Sequence, residues 1–203
     1  MASRVGRPRR ETLEGRRRQL LHAAQEVIIE HGFERATMLQ IAERCGASKE
    51  TLYSWFGSKE GLFAELVIAA GEQTVTRLTP VLRGTDDRAL RSFARALLGL
   101  LVSPWSVAVN RAAMSSDALA RLVLAHGRHR IGPVVEAYLA DLDRAGVLRV
   151  PDPKSAFTEL YGLVVRDTQI RVLLGEPAPS AAAQRRQVDA GVDRFWRAYR
   201  ATP

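Results

Sequence analysis

Residues Thr37 to Phe63 read TMLQIAERCGASKETLYSWFGSKEGLF. The stretch divides into two short helices joined by a tight turn. Ala42 is small enough to let the second helix approach the first. Gly46 can take the positive φ that ends the first helix. Leu52 packs the second helix back onto the first. Polar residues gather at the start of the second helix, the end that enters a DNA major groove in a helix-turn-helix. The spacing therefore points to DNA binding.

The flanks carry matching stop and start signals. Thr37 reads as the N-cap of the first helix, with Gln40 three residues on to complete a capping box. Ser48 caps the second helix, Lys49 to Phe56, and Ser58 caps the next, where Gly61 is a weak point in the first turn. Upstream, Leu20, Leu21, Ala24, Val27 and Ile28 recur at helical spacing and predict a helix from about Glu11 to His31. Gly32 ends it and Phe33 follows as a core anchor. Ser48 and Thr51 carry small donors that can reach phosphates or base edges. Lys49 and Glu50 project from the first turn. The Tyr53 hydroxyl suits a phosphate oxygen, and Lys59 stands at a helix N-terminus whose free amides also favour phosphate.

This pattern resembles the N-terminal signature of the TetR family of bacterial transcriptional regulators. The residues that carry the resemblance are Gly32-Phe33, Thr37, Ile41-Ala42, Gly46, Ser48-Lys49, Thr51-Leu52-Tyr53, Trp55-Phe56 and Ser58-Lys59-Glu60. It covers about residues 14–66. The resemblance implies that Thr37, Tyr53 and Lys59 clamp the DNA backbone, and that Ser48, Lys49, Glu50, Thr51 and Ser54 face the groove. The sequence departs from the family pattern at Glu50, where a small residue is common, and at Ser54, where His or Tyr often stands. A carboxylate at Glu50 can accept from cytosine N4 and repels nearby phosphates. Trp55 replaces a more usual Tyr or His and reads as a core or rim aromatic.

Charge extends the same reading. The 203 residues carry a formal net charge of +8, which favours polyanions without separating DNA from RNA or acidic membranes. Arg4, Arg7, Arg9, Arg10, Arg16, Arg17 and Arg18 crowd the start, against Glu11 and Glu14. Two readings fit this arm: a solvated tail, or a minor-groove element. Val5-Gly6-Arg7-Pro8-Arg9 resembles the core of AT-hook peptides, which makes Arg7 and Arg9 candidate minor-groove contacts.

Composition bounds the rest. Hydrophobic residues make up 46% of the chain, ample for a core. No apolar run approaches the roughly 20 residues that span a bilayer, and the Arg-rich start lacks the apolar segment of a secretory signal. A single cysteine, Cys45, excludes an internal disulfide. A cytoplasmic protein with no membrane partner is expected.

From Lys59 on, the chain reads as helical. Expected helices run from Lys59 to Thr79, from Asp86 or Asp87 to Val102, and from Ser106 to Ser116. One capped by Asp117 should deform at Gly132-Pro133 and end at Gly146, and the Val147–Pro153 loop has some extended character. Another runs from Asp152 or Pro153 unbroken to Leu174, and the last from Ala181 to Tyr199. The fold class is all-α, with about nine helices. A flexible basic arm occupies 1–10, a three-helix helix-turn-helix domain 11–58, and a helical ligand-binding and dimerisation domain 59–203.

One helix-turn-helix reads few base pairs, so a homodimer on a roughly palindromic double-stranded operator is expected. The last two helices are its candidate seam, with Val164, Thr168 and Val172 on one and Val188, Phe195 and Trp196 on the other. The other reading is that both pack within one subunit. Residues 85–175 resemble the AefR-like subgroup of the family on Phe93, Leu97-Leu98, Ser103-Pro104, Asp152-Pro153 and Leu173-Leu174-Gly175. The resemblance implies a pocket for an unknown small-molecule effector among the middle helices. Phe93, Leu97, Trp105, Met114, Tyr138 and Tyr161 are the candidates to line it.

His126 and His129 stand at a metal-chelating spacing without a third ligand, and no catalytic group set or nucleotide fingerprint is present. No metal, cofactor or enzymatic activity is expected. The expected function is that of a ligand-responsive repressor released from its operator by a small molecule. A nonspecific architectural DNA-binding protein is the alternative.

Overall fold

The computed structural model describes residues 10–201. Eleven α-helices account for these residues, with no strand among them. They form two compact units, divided between Leu66 and Val67.

The first unit holds α1 (Arg10–His31), α2 (Met38–Cys45), α3 (Lys49–Phe56) and the start of α4 (Lys59–Leu78). Its core is the apolar stripe of α1, Leu20, Ala24, Val27 and Ile28, closed by Ile41, Leu52, Leu62 and Phe63. Phe33 meets Phe63 edge-on at 4.7 Å between ring centroids. Gly46 ends α2 at φ +60, a conformation that costs most side chains about 1–2 kcal/mol. Arg16 then closes the turn by donating to the Gly46 carbonyl at 2.9 Å. Gly61, a poor helix former, is explained by space: a Cβ there would run into the Phe56 carbonyl.

The second unit begins within α4. A 3₁₀ turn (Thr79–Val81) follows, then α5 (Asp87–Leu101), α6 (Pro104–Met114), α7 (Asp117–His126), α8 (Arg128–Arg144), α9 (Pro153–Val165), α10 (Thr168–Leu173) and α11 (Ala181–Tyr199). Phe93, Leu98, Val135, Leu139, Phe157, Leu160, Val192 and Phe195 form one core where α5, α8, α9 and α11 meet. Truncating a residue such as Phe93 to alanine costs about 3–5 kcal/mol in such a site. Arg91, steadied by Asp87 of its own helix, ties α5 to α11 through Asp193, and Arg95 adds Asp189 at 2.6 Å. The chain end is stitched down by an isolated bridge between Leu148 and Arg200.

Three expectations about the helices are corrected. The chain breaks at Gly127 rather than at Gly132-Pro133, and Pro133 lies inside α8. That costs α8 a single ladder bond, to the His129 carbonyl. The helix expected to run unbroken to Leu174 stops at Val165. Arg166 stands there at φ +52, and α10 restarts at Thr168. The Gln187 side chain of α11 caps the buried end of α9, donating to the carbonyls of Val164 at 2.7 Å and Val165 at 3.2 Å. Finally, α6 starts at Pro104 rather than at Ser106, with Ser103 as its cap.

No single helix among the described residues is long and apolar enough to cross a membrane.

Candidate nucleic-acid interface and ligand cavity

The capping box at the start of α2 is complete. The Gln40 amide donates to Thr37 Oγ1 at 3.2 Å, and the Thr37 amide donates to Gln40 Oε1 at 2.9 Å. This fixes α2, and α2 fixes the turn. Bidentate pairing of Arg44 with Glu30, at 2.8 and 2.6 Å, holds α2 against α1 and draws the Glu30 carboxyl below its ordinary range.

Leu52 and Phe56 bury one side of α3, which leaves Lys49, Glu50, Tyr53 and Ser54 exposed on the other. Its first turn is a connected polar set. The Thr51 amide donates to Ser48 Oγ at 3.2 Å, and the two hydroxyls lie 3.0 Å apart. The Glu50 carboxyl is held below its ordinary range by its own backbone amide first and by the Ser48 hydroxyl second. It is therefore ionised at neutral pH. Lys49 Nζ stands 5.7 Å from the centroid of the Tyr53 ring. Trp55 is half-buried and meets Phe56 edge-on, on the rim rather than in the core.

Lys59 is placed differently from the others. Its ammonium donates to the carbonyls of Phe33 at 2.9 Å and Glu34 at 3.1 Å, and sits 4.5 Å from the Phe33 ring centroid. It thus ties the α1–α2 connection to the start of α4. Two of the arginines counted with the basic arm are also internal. Arg16 closes the Gly46 turn, while Arg17 pairs with Glu65 and lies over the Phe56 ring. Arg7 and Arg9 lie outside the described residues.

The second unit holds a partly open cavity of about 300 Å³. Val67, Ala70, Gly71 and Thr74 of α4 form one wall, Leu97 and Leu101 of α5 another. Trp105, Val109 and Asn110 of α6, the His126-Gly127-Arg128 junction, Phe157 and Tyr161 of α9, and Gln169 of α10 complete it. Of the six residues expected to line a pocket, the structure gathers Leu97, Trp105 and Tyr161 here. Phe93 and Tyr138 belong to the core instead, the Tyr138 hydroxyl donating to the Gly84 carbonyl at 3.1 Å. Met114 is 66% exposed. Gly71, Asn110, Arg128 and Gln169 escaped the sequence, because nothing local marks four positions on four helices as neighbours.

The residues expected at a dimer seam divide likewise. Val164, Val172, Val188 and Phe195 are buried in the chain's own core, while Thr168 and Trp196 are half-buried. The apolar side chains that do face outward nearby are Ile170 and Leu174, the latter 80% exposed. Among the described residues, no three histidine, cysteine or acidic side chains cluster as a metal site would need.

A helix-turn-helix with one polar, solvent-facing helix, joined to a helical unit with an apolar cavity, defines a two-unit DNA-binding transcriptional regulator. The chain belongs to the TetR family: the family described as bacterial regulatory proteins, tetR family, matches residues 20–66, and the AefR-like transcriptional repressor C-terminal domain matches residues 88–201. It is 40% identical to the HTH-type transcriptional activator FasR of Mycolicibacterium smegmatis over 76 residues, 37% of this chain and 35% of that protein. The chain thus matches about a third of the length of that curated relative. Among solved structures, a TetR-family regulator from Mesorhizobium loti aligns over 95% of this chain and 100% of its own, with TM-score 0.84 and 24% identity. The flavonoid-responsive regulator FrrA aligns over 94% and 100%, with TM-score 0.71 and 31% identity.

Proposed function

We propose that the protein is a ligand-responsive repressor, acting in the cytoplasm as a homodimer on a roughly palindromic operator. The observation that carries the reading is α4. It begins against the helix-turn-helix at Lys59 and goes on to wall the cavity with Val67, Ala70, Gly71 and Thr74. An occupant that displaces this wall acts on the helix that enters the DNA-binding unit. Ligand binding then favours the conformation in which two recognition helices no longer match half-sites about 34 Å apart. A relative described as flavonoid-responsive supports the small-molecule half of this reading.

In this reading Thr37 and Tyr53 grip phosphates, and Lys59 presents its charge from a fixed place at the start of α4. Ser48, Lys49, Glu50, Thr51 and Ser54 meet the groove, and Arg7 and Arg9 enter the adjacent minor groove. DNA binding resides in 11–58 and ligand binding and dimerisation in 59–203. The outward faces of α9 to α11, with Ile170 and Leu174, form the dimer seam.

The test is a nuclease footprint on the DNA upstream of the chain's own gene, paired with a transcriptional reporter. One protected, two-fold symmetric site and a reporter that rises when the gene is deleted are expected. Uniform weak protection would instead fit a nonspecific architectural protein. A reporter that falls on deletion would assign activation.

A further inference from the structure

The charge around the cavity is one-sided. Its lining includes Arg128 and no aspartate or glutamate. The Arg128 guanidinium lies over two rings that themselves line the cavity, 5.3 Å from the centroid of Phe157 and 5.2 Å from that of Tyr161. It donates a long hydrogen bond, 3.4 Å, to Thr158 Oγ1. Arg128 is exposed at the mouth of the cavity, and among the described residues no carboxylate lies within ion-pair reach of it. A stacked guanidinium uses its face on the aromatics and keeps its in-plane N–H fork for a planar anion.

The groups beside it are also donors. The Tyr161 hydroxyl gives its proton to Gln169 Oε1 at 2.7 Å, which turns the carboxamide so that the Gln169 N–H₂ remains to donate. Burial pushes the Tyr161 phenol up against the opposing pull of Arg128, so it stays a neutral donor. Val67, Leu97, Leu101, Val109 and Trp105 supply apolar wall, while Thr74, Ser106, Asn110 and His126 add uncharged or weakly basic polar groups. The volume lies at the low end for small-molecule sites.

Building on the ligand-responsive reading above, we infer that the effector is an amphipathic organic acid. Its apolar body fills the cavity, and its carboxylate is held by Arg128 beside Gln169. The rings of Phe157 and Tyr161 hold the guanidinium in place before the ligand arrives, which lowers the ordering cost of binding.

Two acid–alcohol pairs test this on the full-length chain: decanoate against 1-decanol, and 2-naphthoate against 2-naphthol. Isothermal titration gives affinities, and tryptophan fluorescence, with Trp105→Phe as control, reports whether the cavity is occupied. At least one acid is expected to bind about tenfold or more tighter than its alcohol, the ratio a charge-assisted hydrogen bond supplies. Arg128→Gln should remove that advantage and leave the alcohol's affinity unchanged, while Arg130→Gln, an exposed neighbour outside the lining, should change neither. The acyl and aryl pairs separate the two kinds of apolar body. If an alcohol binds in the cavity as tightly as its acid, or Arg128→Gln leaves acid binding intact, the acid inference is overturned and the ligand-responsive reading stands. If all four leave the Trp105 signal and the calorimeter unmoved, the acid inference is overturned, and operator release by other compounds then judges the wider reading separately.

Discussion

Gly71 of α4 touches His126 of α7 backbone to backbone. A Cβ on Gly71 would stand 3.0 Å from the His126 carbonyl carbon, 3.2 Å from its Cβ, and closer still to its carbonyl oxygen. Both residues line the cavity, His126 at the junction where α7 gives way to α8. Any occupant that shifts this junction therefore bears directly on α4.

The Gly71→Ala substitution should mimic an occupant. Overpacking of this kind costs about 1–3 kcal/mol, which in a chain of this size lowers Tm by several degrees. We expect the variant to remain helical by circular dichroism, yet to bind the operator several-fold more weakly with no ligand present. Gly99→Ala is the control: its Cβ would meet only Gln184 Oε1, at an ordinary 3.8 Å, so operator binding should hold and stability rise slightly. Wild-type operator affinity in Gly71→Ala would remove this contact from the coupling.

Substitutions on α3 should separate grip from readout. Tyr53 is 43% exposed, and loss of its hydroxyl in Tyr53→Phe should weaken binding to all sequences by a similar factor of a few. Lys49→Ala and Thr51→Val should alter which base pairs are preferred, by about 1–3 kcal/mol at the position each one reads. Competition against single-base operator variants measures both effects. A Tyr53→Phe protein with full affinity would leave the hydroxyl without a role in gripping DNA.

Glu50 should lower nonspecific affinity. Its carboxyl stays ionised because its own amide and the Ser48 hydroxyl stabilise the charge. Glu50→Gln removes that charge near the phosphates, so binding to random duplex should tighten and discrimination should narrow. Titration against operator and random DNA at equal salt reads the ratio. Affinities for both duplexes unchanged from wild type would show that the carboxylate neither reads a base nor repels the backbone.

The break between α9 and α10 carries strain that glycine would relieve. Arg166→Gly should raise Tm by a few degrees, since a non-glycine residue in a sparsely populated backbone region costs about 1–3 kcal/mol. Gln187→Ala should do the reverse, stranding the carbonyls of Val164 and Val165 at about 1–3 kcal/mol. Thermal melts of the two variants give opposite signs in this scheme, and equal signs would contradict it.

Alkaline pH should destabilise the second unit. Burial pushes Tyr138 up to about 12, against 10 when unfolded. A raised pKa keeps the proton on the folded form after the unfolded form has lost it. Its contribution is thus complete below about pH 10 and fades as pH rises to about 12. Melts across that window should fall more steeply for the wild type than for Tyr138→Phe.

What the sequence reveals depends on distance along the chain. The capping box joins Thr37 to Gln40, and Asp152 caps α9 by accepting from Lys154 and Ser155, so both are written within four residues. The helix-turn-helix was legible for the same reason. The break at Arg166 was not, because its support comes from Gln187 rather than from a local glycine or proline. The cavity was half legible. Apolar periodicity marks Leu97 and Tyr161 as inward, but it cannot distinguish a wall from a core, which is where Phe93 and Tyr138 went. Val188 and Phe195 show the same limit: a stripe on a helix announces burial without naming the partner.

The central claim is sequence-specific, ligand-sensitive DNA binding, and one titration tests it most directly. The full chain is titrated into the DNA upstream of its own gene and into a shuffled duplex of the same length and composition, at moderate salt. A preference of at least about a hundredfold for the natural sequence, modest for specific complexes, is expected, and it should collapse when an effector fills the cavity. Equal affinity for both duplexes, falling steeply with salt, would contradict it.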